Sequence, residues 1–247
     1  MRYSPADMKT LETPTQVFDP QRIRAVTLDL DDTLWPIWPT IARAEAALQQ
    51  WLDANAPATA ALGRDKGTLR AVRNQMQTLR PDLAHDMSGL RRESIRLLLQ
   101  RAGDDPALAE VAFEVFFDER QRVDLFADAL PALEFLASRF PLVALSNGNA
   151  DVQRVGLGAH FRASISAFKF GVAKPDARIF HAGAAAAGVT AAEVLHIGDD
   201  AHLDGVGALN AGMQLAWVNR DNQTWAHAPL APHLTVTDLL VLCRALS

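Results

Sequence analysis

The run Ala25 to Trp35, AVTLDLDDTLW, constrains this chain more than any other stretch. It opens with strand character over Ala25 to Leu28. It ends in three carboxylates, Asp29, Asp31 and Asp32, followed by Thr33. A buried strand that runs into clustered negative charge is costly unless a cation or hydrogen-bond donors meet it. The simplest such cation is a hard divalent metal, which takes oxygen ligands. Asp29 and Asp31 sit two apart, so on an extended segment they share a side. Taken alone, an acidic turn that caps the next helix explains them as well.

A length of 247 residues suits one or two domains with a substantial core. Hydrophobic residues at 49% and charged residues at 21% are those of an ordinary globular protein. The net charge of -5 disfavours a nucleic-acid or anionic-membrane partner, which would want a basic face. Cys243 is the one cysteine, so no intramolecular disulfide forms. Residues 1–20 hold several charges and three prolines, without the apolar core of a signal peptide. They read as an irregular extension. No run is apolar and long enough to span a bilayer, and a cytoplasmic protein is expected. Oligomeric state is not legible.

Strand one is expected over Arg24 to Leu30. From Thr40 to about Arg122 the pattern is helical. Ile41, Ala44, Leu48, Trp51 and Leu52 recur at helical spacing behind Pro39. Further helices are expected near 68–79, stopped by Pro81, and 90–102, closed by Gly103. Another opens on Asp105 and Pro106. After this block the pattern alternates. Helices are expected over 131–139, 176–187, 204–211 and 237–246, with strands over 142–145, 165–168, 194–197 and 215–218. Leu133, Phe135 and Leu136 read as core. Alternation of this kind builds right-handed βαβ units and a parallel sheet, with ligands beyond the carboxyl ends of its strands. Asp29/Asp31, Ser146/Asn147 and Asp199/Asp200 all fall at such ends.

Asp29-Leu30-Asp31-Asp32-Thr33, then Ser146, then Lys174-Pro175, then Gly198-Asp199-Asp200 with Asp204 resemble the four ordered motifs of the haloacid dehalogenase-like (HAD) hydrolase superfamily. The resemblance runs from Ala25 to about Val218. It implies an α/β, Rossmann-like core with a parallel sheet, over 21–35 and 124–247, and an inserted all-helical C1 cap over 36–123. His85-Asp86, Ser146 to Ala150, Gly156-Leu157-Gly158, His196 to Asp200, Gly212-Met213-Gln214 and Trp217 also resemble a narrower group. Its members are the phosphatases of 5-amino-6-(5-phospho-D-ribitylamino)uracil, in riboflavin biosynthesis, and of FMN.

The resemblance implies a Mg²⁺-dependent phosphomonoester hydrolase that works on a small phosphorylated metabolite through an aspartyl-phosphate. Asp29 is the expected nucleophile and Asp31 the general acid and base. The metal is expected on Asp29, the Asp31 backbone carbonyl and Asp199, with Asp204 orienting that site from behind. Asp200 either caps a helix or touches a metal-bound water. Ser146 and the Asn147 amide are expected to bind the phosphoryl group, and Lys174 to pair with it and with Asp29. In the family's dehalogenases the residue matching Asp31 is not an aspartate, because no alkoxide needs a proton.

Trp35 and Trp38 are candidates to stack on a flat substrate ring, although core packing explains either one. His85-Asp86, Arg91 and Arg92 are candidates to face the site, and Lys169 to bind phosphate. A receiver module has another motif order and leaves the helical insert unexplained. Phosphonate cleavage would want a cap lysine, where Lys66 stands alone and unmarked. Other phosphomonoesters, such as sugar phosphates or nucleotides, and a binding protein on the same scaffold remain as alternatives.

Overall fold

The computed structural model describes residues 17–247. Residues 1–16 of the expected extension lie outside the described part. Its end is tied down, since the Asp19 amide donates to Gln214 Oε1 at 2.9 Å and Gln214 Nε2 donates back to the Asp19 carbonyl at 2.9 Å.

Six parallel strands form one sheet in the order β3-β2-β1-β4-β5-β6. They are β1 (Ala25–Leu28), β2 (Leu142–Ser146), β3 (Ala163–Ser166), β4 (Val194–Gly198), β5 (Gln214–Val218) and β6 (Leu234–Val236). The period of two sorts their side chains. Val26 and Leu28 pack on one face with α6 (Ala129–Ala137) and α10 (Leu239–Ala245). Ala25, Val143 and Leu145 pack on the other with α8 (Ala177–Ala187) and α9 (Gly207–Asn210). Leu133 and Leu136 are core as expected, while Phe135 is half-buried.

Residues 37–120 hold helices and no strand. These are α1 (Ile37–Asn55), α2 (Pro57–Gly63), α3 (Lys66–Leu79), α4 (Met87–Ala102) and α5 (Ala109–Arg120). They enclose an apolar core of their own around Leu48, Leu52, Leu99, Phe113 and Phe116.

The departures from expectation have local causes. α2 is seven residues long with three alanines and one leucine, so it carries little periodic signal. It is held where Asp104 Oδ2 accepts from the Thr59 amide and hydroxyl at 2.7 and 2.6 Å. α1 starts three residues earlier than expected, with Pro39 inside the first turn, where a missing N–H costs nothing. Asp105 and Pro106 open a short 3₁₀ turn, and α5 follows at Ala109. The strand expected at 165–168 ends at Ser166, which caps the short helix α7 (Ala167–Phe170); Gly171, at φ +84°, closes it. β6 is three residues after a proline-rich stretch, too short to alternate visibly. The helix expected from Asp204 begins as a wide π-type turn at Ala201 and narrows into α9.

Candidate active site

The sheet order places the site. The chain leaves β1 toward β2 on one side and leaves β4 toward β5 on the other, so a crevice opens beyond the ends of β1 and β4. Asp29 follows β1 directly, its amide donating to the Ile197 carbonyl at 2.9 Å. Asp199 follows β4.

Between and beneath them lies a buried chain of polar groups. Lys174 Nζ donates to Asp29 Oδ1 at 2.5 Å and to Asp204 Oδ1 at 2.6 Å, and all three side chains are buried. His196, fully buried in β4, stands 3.1 Å from Asp204 Oδ1 through Nε2 and 2.9 Å from Thr27 Oγ1 through Nδ1. Burial pulls the imidazole below its usual range, against the pull of Asp204. A neutral ring donates from Nε2 to the carboxylate and accepts from Thr27 at Nδ1. Asp204 Oδ2 takes the Asp200 amide at 3.1 Å. Gly198 makes room for Asp204, because a Cβ there would stand 2.3 Å from its Cγ.

Charge is distributed unevenly over these carboxylates. Burial opposes ionisation of Asp204, but Lys174 and His196 outweigh it and hold the carboxyl at about 2. Burial likewise opposes Lys174, and Asp204 and Asp29 outweigh it, keeping the ammonium charged. Asp29 goes the other way. Burial raises it well above the carboxylate range, helped by Asp204 and Asp199 and resisted by Lys174. Burial and the nearby Asp204 raise Asp199 to about 7. One oxygen from each of Asp29, Asp199 and Asp204 lies within 4.8 Å of the others. Both Asp204 oxygens already accept from Lys174, His196 and Asp200. Asp29 and Asp199 are therefore the carboxylates with oxygen to spare, and Thr33 Oγ1 orients Asp199 at 3.0 Å. An all-oxygen donor set of this kind fits a hard divalent ion.

Asp31 lines the cavity beside the helices and takes its donors from their side. Arg120 Nη2 donates to its Oδ1 and Oδ2 at 2.6 and 2.7 Å, and Trp35 Nε1 donates to Oδ1 at 2.8 Å. Trp35 is completely buried, so it cannot stack on a substrate. Its expected role is corrected to core packing plus one hydrogen bond, because its ring fills the apolar layer under β1. Asp32, at φ +58°, turns the chain and accepts the Ile37 amide at 2.9 Å. Asp200 accepts the His202 and Leu203 amides at 2.8 and 2.7 Å, so it caps the following turn.

Ser146 is buried at the end of β2, and its Oγ accepts the Gly148 amide at 2.9 Å. The Asn147 side chain clasps the Lys174 backbone, donating to its carbonyl at 2.9 Å and accepting its amide at 2.8 Å. Asn147 thus places Lys174, a role not expected from its position beside Ser146.

Above Asp31, Gly148 and Asn149 a cavity of about 330 Å³ lies against the helices. Ile41, Leu90 and Phe116 contribute apolar wall, Trp38 lines it with 75% of its surface exposed, and Arg73 and Arg91 add charge. The Arg91 guanidinium lies 4.1 Å from the Phe116 ring centroid. Burial, then Arg73, lowers it to about 10. His85 lines neither this cavity nor the neighbouring one, which holds Arg92 and Lys169. Its partner in sequence, Asp86, caps α4 through the Gly89 amide at 2.8 Å. Neither Arg120 nor Phe116 is given a site role by the sequence. They sit on an ordinary-looking helix with nothing local to mark them. His196 had a signal, a polar residue in the middle of an apolar strand, and received no role.

The haloacid dehalogenase-like hydrolase family model matches residues 23–212. The chain belongs to that family of hydrolases. It is 34% identical to the 5-amino-6-(5-phospho-D-ribitylamino)uracil phosphatase YigB of Escherichia coli over 90% of this chain and 95% of that protein. It is 34% identical to the phosphoserine phosphatase of Thermus thermophilus over 60% and 62% of the two chains. Among solved structures, a 2-haloacid dehalogenase from Pseudomonas syringae superposes with a TM-score of 0.83 at 37% identity, over 90% of this chain and 98% of that one. The chain is an enzyme of the HAD phosphatase type, the aspartate at position 31 and the similarity to YigB agreeing on this against the dehalogenase name. No helix among the described residues is long and apolar enough to cross a membrane.

Proposed function

We propose that the protein is a Mg²⁺-dependent phosphomonoester hydrolase acting through an aspartyl-phosphate. Its substrate is a small metabolite with a flat ring and an alkyl phosphate, either 5-amino-6-(5-phospho-D-ribitylamino)uracil or FMN. Convergence of Lys174, Asp29 and Asp204 within hydrogen-bond reach is the observation that carries the chemistry.

In this reading Asp29 attacks phosphorus in line, and the bond from phosphorus to the substrate oxygen breaks. Asp31 gives that oxygen its proton. Water then attacks the aspartyl-phosphate and passes a proton back to Asp31, which releases inorganic phosphate and restores Asp29. Lys174 has three donors, two of them spent on Asp29 and Asp204, so one remains for a phosphoryl oxygen. Ser146 accepts from Gly148 and keeps its own O–H to donate. The Asn147 side chain is committed to Lys174, so its backbone amide is what it offers. Asp29, Asp199 and the Asp31 carbonyl would hold Mg²⁺, which would supply charge neutralisation between the carboxylates and the phosphoryl group. Asp204 and His196 keep Lys174 in place.

The helical block over residues 36–123 acts as a cap that chooses the leaving group. Apolar walls with Trp38 at the rim and Arg91 over Phe116 support a flat, hydrogen-bonding ring better than a bare sugar. The similarity to YigB supports the same choice. The net charge of -5 supports a free metabolite as the partner over nucleic acid or an anionic membrane, and the same reading places the enzyme in the cytoplasm.

Turnover of 5-amino-6-(5-phospho-D-ribitylamino)uracil, FMN, phosphoserine, sugar phosphates and nucleotides, each with Mg²⁺ and with chelator, tests this. The expected result is metal-dependent release of phosphate with kcat/KM highest on the two ring compounds. A strong preference for phosphoserine or sugar phosphates removes the substrate assignment and keeps the class. No turnover of any, with metal present, favours a binding protein.

A further inference from the structure

The Asp31 carboxylate is gripped at the junction of the sheet with the helical block. Its hydrogen bonds come from Arg120, the last residue of α5, and from Trp35, just before α1 begins. Those two residues bracket the segment of chain that forms the helices. Arg120 is 1% exposed. Both hydrogen bonds it makes run from Nη2 to Asp31, and its buried Nη1 meets no acceptor among the described residues. Space is also reserved for the contact. A Cβ on Gly148 would stand 2.4 Å from Asp31 Oδ2 and 3.5 Å from Arg120 Nη2. The next residue, Gln121, accepts the Asp151 amide at 2.8 Å and so ties the end of α5 to the loop that follows Ser146.

We propose that Arg120 is a positioning residue for the proton-transfer step: with Trp35, it aims the Asp31 carboxyl at the oxygen of the leaving group. This rests on the acid–base role given to Asp31 above. Arg120 itself neither gives nor takes the proton. Its position at the end of α5 means that placement of the helices over the core and aim of the acid are one event.

The test separates aim from folding and from phosphate binding. Transfer to Asp29 is read as kcat/KM on an alkyl phosphate, whose alkoxide needs a proton, and on 2,4-dinitrophenyl phosphate, whose phenolate leaves without one. Arg120→Met is expected to lose about a hundredfold on the alkyl phosphate, the lower range of general acid catalysis, and less than threefold on the aryl phosphate. Arg120→Lys, which restores a cation, recovers part of the alkyl-phosphate loss. Equal losses on both substrates, or no loss on either, overturn the inference. Asp31→Asn runs beside it. If that variant shows the leaving-group dependence and Arg120→Met does not, only the inference about Arg120 fails. If Asp31→Asn loses equally on both, the assignment of Asp31 fails and takes this inference with it. Should Arg120→Met not fold, Trp35→Phe removes the other donor at similar volume and carries the same comparison, with equal losses again overturning the inference.

Discussion

Two regions meet at Asp31 and are held by different means. At the strand ends, Lys174, Asp204 and His196 are buried charges and polar groups with nearly every atom spoken for. In the cavity under the helices the walls are apolar, and the charges of Arg73 and Arg91 share the half-exposed carboxylate of Glu45. A buried ion pair tolerates little displacement, because separating it leaves an uncompensated charge in a poor solvent. Apolar walls tolerate changes that keep volume. In the proposed function, the chemistry falls to the tightly paired region and the choice of substrate to the apolar one.

Substitutions on the two sides should therefore break different quantities. Asp29→Asn removes the nucleophile and is expected to lower kcat by roughly four orders of magnitude or more. The fold should survive, since an amide fits the same space. Steady-state release of phosphate measures it, and turnover near the original rate removes Asp29 from its role. Lys174→Met is expected to do two things at once. It should abolish turnover, and it should destabilise the core by about 3–5 kcal/mol, because Asp204 and Asp29 lose their shared cation. Denaturant melts beside the assay separate the two effects. A melt unchanged from the parent would mean that the buried cluster rearranges freely, which erases the contrast between the regions. At the cavity, Trp38→Ala is expected to raise KM for a ring-bearing substrate roughly two- to tenfold, the worth of one aromatic contact. It should leave kcat and the melt nearly unchanged, as its ring is mostly exposed. A loss of kcat comparable to that of Lys174→Met would place Trp38 with the chemistry.

The strand-end cluster was readable because its motifs are local. Each of Asp29, Ser146 and Asp199 follows an apolar run of strand length, and βαβ chirality brings such ends to one edge. Lys174 was readable only through its resemblance to a family motif, since nothing in a loop lysine marks it as buried. Trp35 shows the opposite failure. Placed just after the nucleophile, it left stacking on a substrate and core packing both open, and its ring lies in the core under β1.

What the chain determined by itself was the alternation of apolar runs and helical faces, and with it a parallel sheet whose polar tips face one way. Hydrophobic periodicity is a short-range property and survives being read in a line. Only the tertiary structure decided which polar atoms are spent on one another. The Asn147 side chain went to the Lys174 backbone and Asp204 to Lys174 and His196. Arg120 crossed 89 residues of sequence to reach Asp31. Those pairings depend on burial and on distances between segments far apart in the chain, and neither is encoded in local pattern.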